Sequence, residues 1–311
     1  MDFLTATPRL ANIRLHPIKA LDPISVTEAC IGPNGGLELD RVWALYSVDG
    51  RWVNAKRTAA IQLIRATYAP DISSVTLTVP GDRRNIPAMT FAFPHDTEGA
   101  AEWFSMYFEQ VVQVRYTREG FPDDGLAAGP TIVSTASLEA VCGWFPGMSL
   151  GEARRRFRAT LEIDAASPVV NDQVPLDGVG LGGSGSTHNI AGPAVPPQAS
   201  LSPPAREKLP AFWEDQLFGE SEASVVRFRI GDVAFEGSNP CARCPVPARE
   251  SQTGEVNDGF QRRFTDLRRA QLPAWAPASR FDHFYRLSTN TRVPSTEHGK
   301  LLRLGDPLVL C

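Results

Sequence analysis

The chain has 311 residues, 42% hydrophobic and 21% charged, with a formal net charge of −4. This composition excludes a disordered or fibrous chain, because apolar material is ample for a core, and its acidic balance argues against general nucleic-acid affinity, which calls for a basic face. Five unevenly placed cysteines, Cys30, Cys142, Cys241, Cys244 and Cys311, make a poor disulfide framework, so a reducing, cytoplasmic setting is expected.

The first twenty residues contain no apolar run of signal-peptide length, since Arg9 and Arg14 interrupt them, and no span of about 18 apolar residues follows anywhere. No membrane span is expected. Residues 10–80 read mostly as short strands: LANIRLHPI, ISVTEACI, RVWALYSV, RWVNA, IQLIRATYA and SVTLTVP. Turns at Pro33-Asn34-Gly35-Gly36, Asp49-Gly50 and Pro80-Gly81 punctuate them, and Asp49-Gly50 is a hairpin signal because Gly accepts φ > 0. Strands at this spacing point to a barrel or sandwich. From 97 to 111 the period changes: Ala100, Trp103, Phe104, Tyr107, Phe108 and Val111 recur at three- and four-residue steps and predict an amphipathic helix.

A strand is expected over 112–116, then a domain boundary within the polar stretch 117–130. Thr131–Ser134 reads as a strand, and a short helix is expected from Ser137, with Ser137 as its cap. Ser149 and Glu152 have capping-box spacing ahead of a second helix, and Leu161–Ile163 resumes a strand. Residues 168–204 hold seven Pro and six Gly, and the stretch 168–208 is read as a loop insertion. Its motif GLGGSG at 180–185 lacks the flanking strand and helix of a phosphate loop. Strands VVRFRI and VAFEG follow, and LLRLGDPLVL reads as strand–turn–strand around Gly305-Asp306.

The most informative stretch is NPCARCPVPARESQTG at 239–254. Three readings of Cys241 and Cys244 compete with two buried, inert cysteines. Structural zinc needs four ligands, and the other cysteines are isolated. A thioredoxin-like pair opens a helix, whereas Pro245 and Pro247 follow here. A single thiolate beside Arg243 and Arg249 is a soft ligand for a heavy metal. Lys19, Arg41, Lys56, Arg57 and Arg158 lie in or beside apolar segments, where fixed cations suit an anionic ligand such as phosphate, although each taken alone is equally a solvated or ion-paired residue. Ser134 and Ser137 bracket a strand-to-helix step whose free N–H groups suit an anion or a simple cap. His16, before Pro17, is read as a pocket-lining or a structural histidine, and Asp40 as an ion-pair partner or a turn residue.

Together these segments resemble the MOSC family, named for the molybdenum cofactor sulfurase C-terminal domain, whose two-part members include the mitochondrial amidoxime-reducing component and its bacterial relatives. The resemblance rests on LHPIKAL at 15–21 and GLELDRVWALYSVDGRWVNAKR at 36–57. It continues through IVSTASLEAV at 132–141, RRFRATLEI at 155–163, FWEDQLFG at 212–219, CARCPVPARESQTGE at 241–255 and LGDPLVL at 304–310. It implies a β-rich α+β chain, with a β-barrel-like N-terminal domain over 8–120 and a MOSC β-barrel domain with short helices over 121–311.

The resemblance further implies that Cys244 ligates molybdenum and that Lys19 and Arg41 hold the pterin phosphate of the molybdenum cofactor. Lys56 takes the place of a family arginine, with Arg57 beside it. Ser134, Ser137, Arg158, Thr160 and Arg243 fall where the family lines the cofactor pocket; an association of the domain with pyridoxal phosphate exists only at domain level. The chain departs from the pattern at Ala20, where Ser is usual, at Thr160, where Asn is usual, and at PVPAR after Cys244. The implied activity is reduction of N-hydroxylated compounds with electrons from an external cytochrome- or ferredoxin-type protein, since no four-cysteine iron–sulfur spacing is present. The rivals are a sulfur-carrier or cofactor-delivery module with Cys244 as persulfide or ligand, and a scaffold that has lost its cofactor.

Overall fold

A computed structural model describes residues 7–81, 84–121, 128–165 and 208–311. The stretch 168–204, its GLGGSG motif and part of the expected boundary at 117–130 lie outside them.

The chain opens with β1 (Arg9–Leu15), β2 (Ile24–Val26), β3 (Glu28–Cys30) and β4 (Trp43–Ser47). A meander follows, β5 (Arg65–Tyr68), β6 (Ser74–Thr78) and β7 (Met89–Ala92), then helix α1 (Thr97–Phe108) and β8 (Val112–Tyr116). Next come β9 (Ile132–Ser134), α2 (Thr135–Trp144), α3 (Leu150–Phe157) and β10 (Leu161–Asp164). The last part holds β11 (Val226–Ile230), β12 (Val233–Ala242), α4 (Phe260–Ala270), β13 (Arg286–Arg292), β14 (Leu301–Arg303) and β15 (Leu308–Leu310). The protein is β-rich α+β, and no helix among the described residues is long and apolar enough to cross a membrane.

Local chemistry explains most of these elements. In α1, Asp96 accepts from the Gly99 N–H at the N-terminus, and Ala100, Trp103, Phe104 and Tyr107 form one buried face. At Asp49-Gly50 the chain reverses with Gly50 at φ +76°, and Ser47 N–H donates to Arg51 O at 2.9 Å. Three expectations are corrected. The RWVNA segment forms only a single bridge, Tyr46 to Trp52, because the turn at 54–58 draws the chain away from β4. Residues Ala59–Leu63 form a 3₁₀ turn, so the strand in IQLIRATYA begins at Arg65. Helix α2 begins at Thr135, and its cap is Ser134, whose hydroxyl accepts from the Ser137 N–H.

Strand order in the main sheet is β15-β11-β12-β13-β9-β10-β1-β2. β1 pairs antiparallel with both β2 and β10, so residues on the two sides of position 120 share one sheet. The Gly305-Asp306 turn does not make a hairpin: β14 pairs with β3, and β15 with β11. That turn is held by β1 instead. Leu10 N–H donates to Asp306 O at 2.9 Å, Gly305 N–H to Leu10 O at 2.8 Å, and Arg9 bridges to Pro307. The sheet therefore curls until its first and last parts touch, without a continuous closing ladder. β1 is also tied to the helical side: buried Glu162 on β10 accepts from Arg14 at 3.0 Å and from Arg154 of α3 at 2.7 Å.

A large core fills the curl of the sheet and the N-terminal strands, including Leu10, Ile13, Trp43, Phe104, Ile132, Phe228 and Phe235. A second aromatic core, with Trp144, Phe157, Phe260, Phe264 and Tyr285, packs α2, α3 and α4 together. Among the described glycines the tightest fit is at Gly237 on β12, where a built Cβ would lie 1.5 Å from the Leu217 carbonyl oxygen. Gly237→Ala must push the 3₁₀ turn at Trp213–Leu217 off the sheet. Urea unfolding should show it less stable by about 3 kcal/mol or more, the upper range for overpacking.

Candidate functional site

The site is organised by the end of α3. Ser149 caps its start, and Phe157 turns inward into the aromatic core. The helix stops because Arg158 takes a left-handed conformation, φ 53°, while its N–H still donates to Arg154 O at 3.0 Å. That turn frees the Phe157 carbonyl, which accepts from Arg243 Nη2 at 2.6 Å. It sends Arg158 Nη1 to the Leu21 carbonyl at 2.7 Å. Three segments far apart in sequence, 16–21, 157–160 and 241–244, thus converge.

At the end of β12 the ladder persists one residue past the strand, through Arg243 N–H to Tyr285 O at 2.9 Å. Arg243 Nη1 donates to Cys241 Sγ at 3.3 Å. Cys244 follows, partly buried against the main core, and a short 3₁₀ turn at Val246–Ala248 comes next. Cys241 therefore lies on the strand and Cys244 two residues past its end, unlike the helical start of a thioredoxin-type pair, and both are free. Burial raises the Tyr285 hydroxyl above its ordinary range; Arg243 opposes this and Cys244 adds to it, which sets Cys244 in electrostatic reach of that ring.

On the N-terminal side the backbone of LHPIKAL runs beside β4. Arg41 N–H donates to His16 O at 2.8 Å, and Lys19 N–H to Trp43 O at 2.8 Å. Asp40 accepts from the His16 N–H at 2.7 Å and pairs with Arg41. Burial works against the Asp40 charge, but Arg41 and His16 still hold its carboxyl below the ordinary range. His16 is pushed down to about 3, first by burial and then by the charge of Arg158, so its ring is neutral across physiological pH. Lys19 Nζ donates to Phe121 O at 2.9 Å and lies 4.3 Å from the centre of the Trp52 ring.

The structure thus brings Arg41 and Arg158 together around His16, and Arg243 and Cys244 together at the end of α3. Lys19 lies on the same segment as His16. Lys56 and Arg57 sit on an exposed turn whose N–H groups donate to Asn54 Oδ1 at 3.1 and 3.3 Å. Ser134 and Ser137 are fully buried, their hydroxyls 2.7 Å apart. Ser137 Oγ donates to Glu214 at 2.8 Å and accepts from the Phe212 N–H at 2.6 Å, while Ser134 N–H donates to Glu214 at 3.2 Å. The start of α2 is therefore already occupied by the carboxyl group of Glu214, which the sequence reading missed; its signal was an acid pair, Glu214-Asp215, inside the segment FWEDQLF.

Several buried polar atoms that lack partners fall along this site, while others, such as Gln62 Oε1, Trp213 Nε1 and Arg268 Nη1, lie elsewhere. Those along the site include both ring nitrogens of His16, Thr160 Oγ1, Trp43 Nε1, Arg243 Nε and the Tyr285 hydroxyl. Most of these groups are donors, and a buried donor without a partner costs about 1–3 kcal/mol. A group rich in acceptor oxygens, such as a phosphate-bearing pterin, fits that donor set and the surrounding cations. Among the described residues no three His, Cys, Asp or Glu side chains gather around a point. A recess of ≈ 240 Å³ lined by Pro245, Arg249, Asn257, Phe260 and Arg262 adjoins Cys244. The larger cavity, ≈ 500 Å³, is lined by Glu236, Asn239, Arg280, Asp282 and Arg286 and contains none of these site residues.

Residues 7–111 match the MOSC N-terminal beta barrel domain. No curated protein matches the chain.

Glu214 provides a pH test of the Ser134–Ser137 cluster. Burial, and then the neighbouring charge of Asp215, raise its carboxyl to about 7 from an ordinary 4.5. A carboxyl raised in the folded state favours folding at low pH, and that contribution is lost as pH rises from about 4.5 through 7. Glu214→Gln removes this dependence. The stability difference between variant and wild type, followed by urea unfolding, should shift by roughly 3 kcal/mol in favour of the variant across that interval.

Proposed function

From the premise that residues 7–111 match the MOSC N-terminal beta barrel domain, we propose that the chain is a molybdenum-cofactor oxidoreductase that reduces N-hydroxylated compounds. Its domains are taken as 8–120 and 121–311. The reading is supported by one observation: buried donors without a partner, those of Trp43, Thr160 and Arg243 among them, line the segments that carry Arg41 and Arg158 and meet beside one half-buried free cysteine, Cys244.

Cys244 is the residue that presents sulfur to the metal. Arg41 and Arg158, with Lys19 on the adjoining segment, neutralise the pterin phosphate, and Trp43, Thr160 and Arg243 have donors available for the remaining acceptors. Lys56 and Arg57 are exposed and meet the cofactor only at an outer edge. Ser134 and Ser137 act through Glu214, holding the start of α2, which stands directly after β9. When bound, the cofactor supplies the two-electron chemistry that removes oxygen from an N–O bond. The protein keeps His16 neutral, so its fixed positive charge comes from arginine and lysine and does not vary with pH near neutrality. Electrons come from a separate cytochrome- or ferredoxin-type protein in a cytoplasmic setting.

Protein purified from a host that makes the cofactor should contain molybdenum and pterin in equal amounts. Cys244→Ala should lose most of the molybdenum while keeping its fold by circular dichroism. Reduction of an amidoxime should require an added electron donor. Metal-free wild-type protein from such a host contradicts the proposal and favours a sulfur-carrier role for Cys244.

A further inference from the structure

We infer that Glu152 is a positioning residue for Cys244, acting through the loop that follows the cysteine. The inference rests on the reading of Cys244 as the working thiolate, but its geometry stands on contacts of α3 alone. Capping-box spacing predicts that the Glu152 side chain reaches back to the start of the helix. Only half of that box forms: Ser149 Oγ accepts from the Glu152 N–H at 3.1 Å. The carboxylate instead turns outward to the 245–257 loop. It accepts from the Ser251 N–H at 2.9 Å and from the Ser251 hydroxyl, and also from Arg156 Nε and from Arg155 Nη2 at 3.3 Å.

Each of these partners is itself fixed to something near Cys244. Arg156 Nη1 reaches the Pro247 carbonyl at 3.5 Å, inside the 3₁₀ turn that begins two residues after the cysteine. Arg155 Nε donates to Ser251 Oγ at 2.9 Å. The Ser251 carbonyl accepts from Arg65, which also pairs with Asp22 at 2.9 Å, next to the Leu21 that receives Arg158. The loop is stiff between these anchors. Glu250 N–H donates to Glu255 O at 2.9 Å, Gly254 N–H to Glu250 O at 2.8 Å, and Asn257 N–H to Ala248 O at 2.8 Å. A restraint at Ser251 is therefore felt at Pro247 and Cys244.

Glu152 is thus one carboxylate that serves two functions of one helix. It holds Arg156 against the turn after Cys244, and it clasps the middle of the same loop at Ser251. Charge-assisted hydrogen bonds of this kind are about twice as strong as neutral ones. Losing the charge leaves Ser251 and Arg156 with weaker partners, and the loop then frees Cys244.

The test reads the thiol itself. Each cysteine of the full chain is alkylated with iodoacetamide and its rate followed by peptide mass spectrometry, with Cys30 and Cys142 as references in the same molecule. Glu152→Gln should speed alkylation of Cys244 about tenfold, the lower end of what losing one charge-assisted hydrogen bond gives, at unchanged rates for Cys30 and Cys142. Glu152→Asp, which keeps the charge, should move the rate back toward wild type. Ser251→Ala removes the hydroxyl that joins Glu152 to Arg155 but keeps the Ser251 N–H bond to Glu152, and should give about twofold, which decides the matter if Glu152→Gln does not fold. Equal Cys244 rates in folded wild-type, Glu152→Gln and Ser251→Ala proteins overturn the inference. Changed Cys244 rates in a protein that contains no molybdenum uphold the clasp and contradict the cofactor reading.

Discussion

The left-handed residue at the end of α3 is the constraint on which the site depends. An arginine with φ near +53° is uncommon, since its Cβ crowds the backbone, and the conformation persists only where the surroundings fix it. Here three things fix it. Phe157 is held in the aromatic core, its freed carbonyl accepts from Arg243, and the Arg158 guanidinium is held by Leu21. If the helix ran on by one more turn, the Phe157 carbonyl would bond within the helix and Arg243 would lose its anchor. The end of α3 therefore sets where the cysteine strand meets the N-terminal segment.

The second constraint is β1. It carries hydrogen bonds to β2, to β10 and, at its start, to the 305–308 turn. Glu162 reinforces it by joining β1, through Arg14, to α3, through Arg154. Burial opposes the charge of Glu162, yet hydrogen bonding from Arg154 and the charge of Arg14 hold the carboxyl below its ordinary range. A rearrangement of β1 would therefore be felt in α3 at Arg154. This is also why the site spans a matched N-terminal domain and the later part of the chain: the sheet passes from one to the other through β1 and β10.

Local features were legible in the sequence where a local rule decides them. The Asp49-Gly50 reversal follows from glycine's freedom at φ > 0, and α1 from the spacing of Trp103, Phe104 and Tyr107. Long-range pairing was not legible. The Leu304–Pro307 turn has hairpin composition, but β1 competes for its backbone and separates β14 from β15. The sequence reads Ser137, the third residue of the helix, as the cap, because Ser134 and Ser137 are both capping residue types three positions apart; in the fold Ser134 caps while the Ser137 hydroxyl turns to the buried Glu214. Strand β13 went unread because its buried residues, Ser288, Thr289 and Thr291, are polar and satisfy one another's neighbours instead of forming an apolar run. Helix α4 did carry a signal, Phe260, Phe264 and Leu267 at helical spacing, which the charged residues between them masked.

The candidate site shows the same division. Residue types gave the cations and the thiolate, whereas convergence required the fold. Arg41, Arg158, Arg243 and Cys244 come together, Lys56 and Arg57 stay on an exposed turn, and Ser134 and Ser137 turn inward to Glu214. The central claim is that Cys244 gives the metal its one protein ligand. Molybdenum X-ray absorption on purified wild-type protein and on Cys244→Ser, each loaded with cofactor, tests it most directly. The account predicts one sulfur fewer around molybdenum in the variant; an unchanged sulfur count would contradict it.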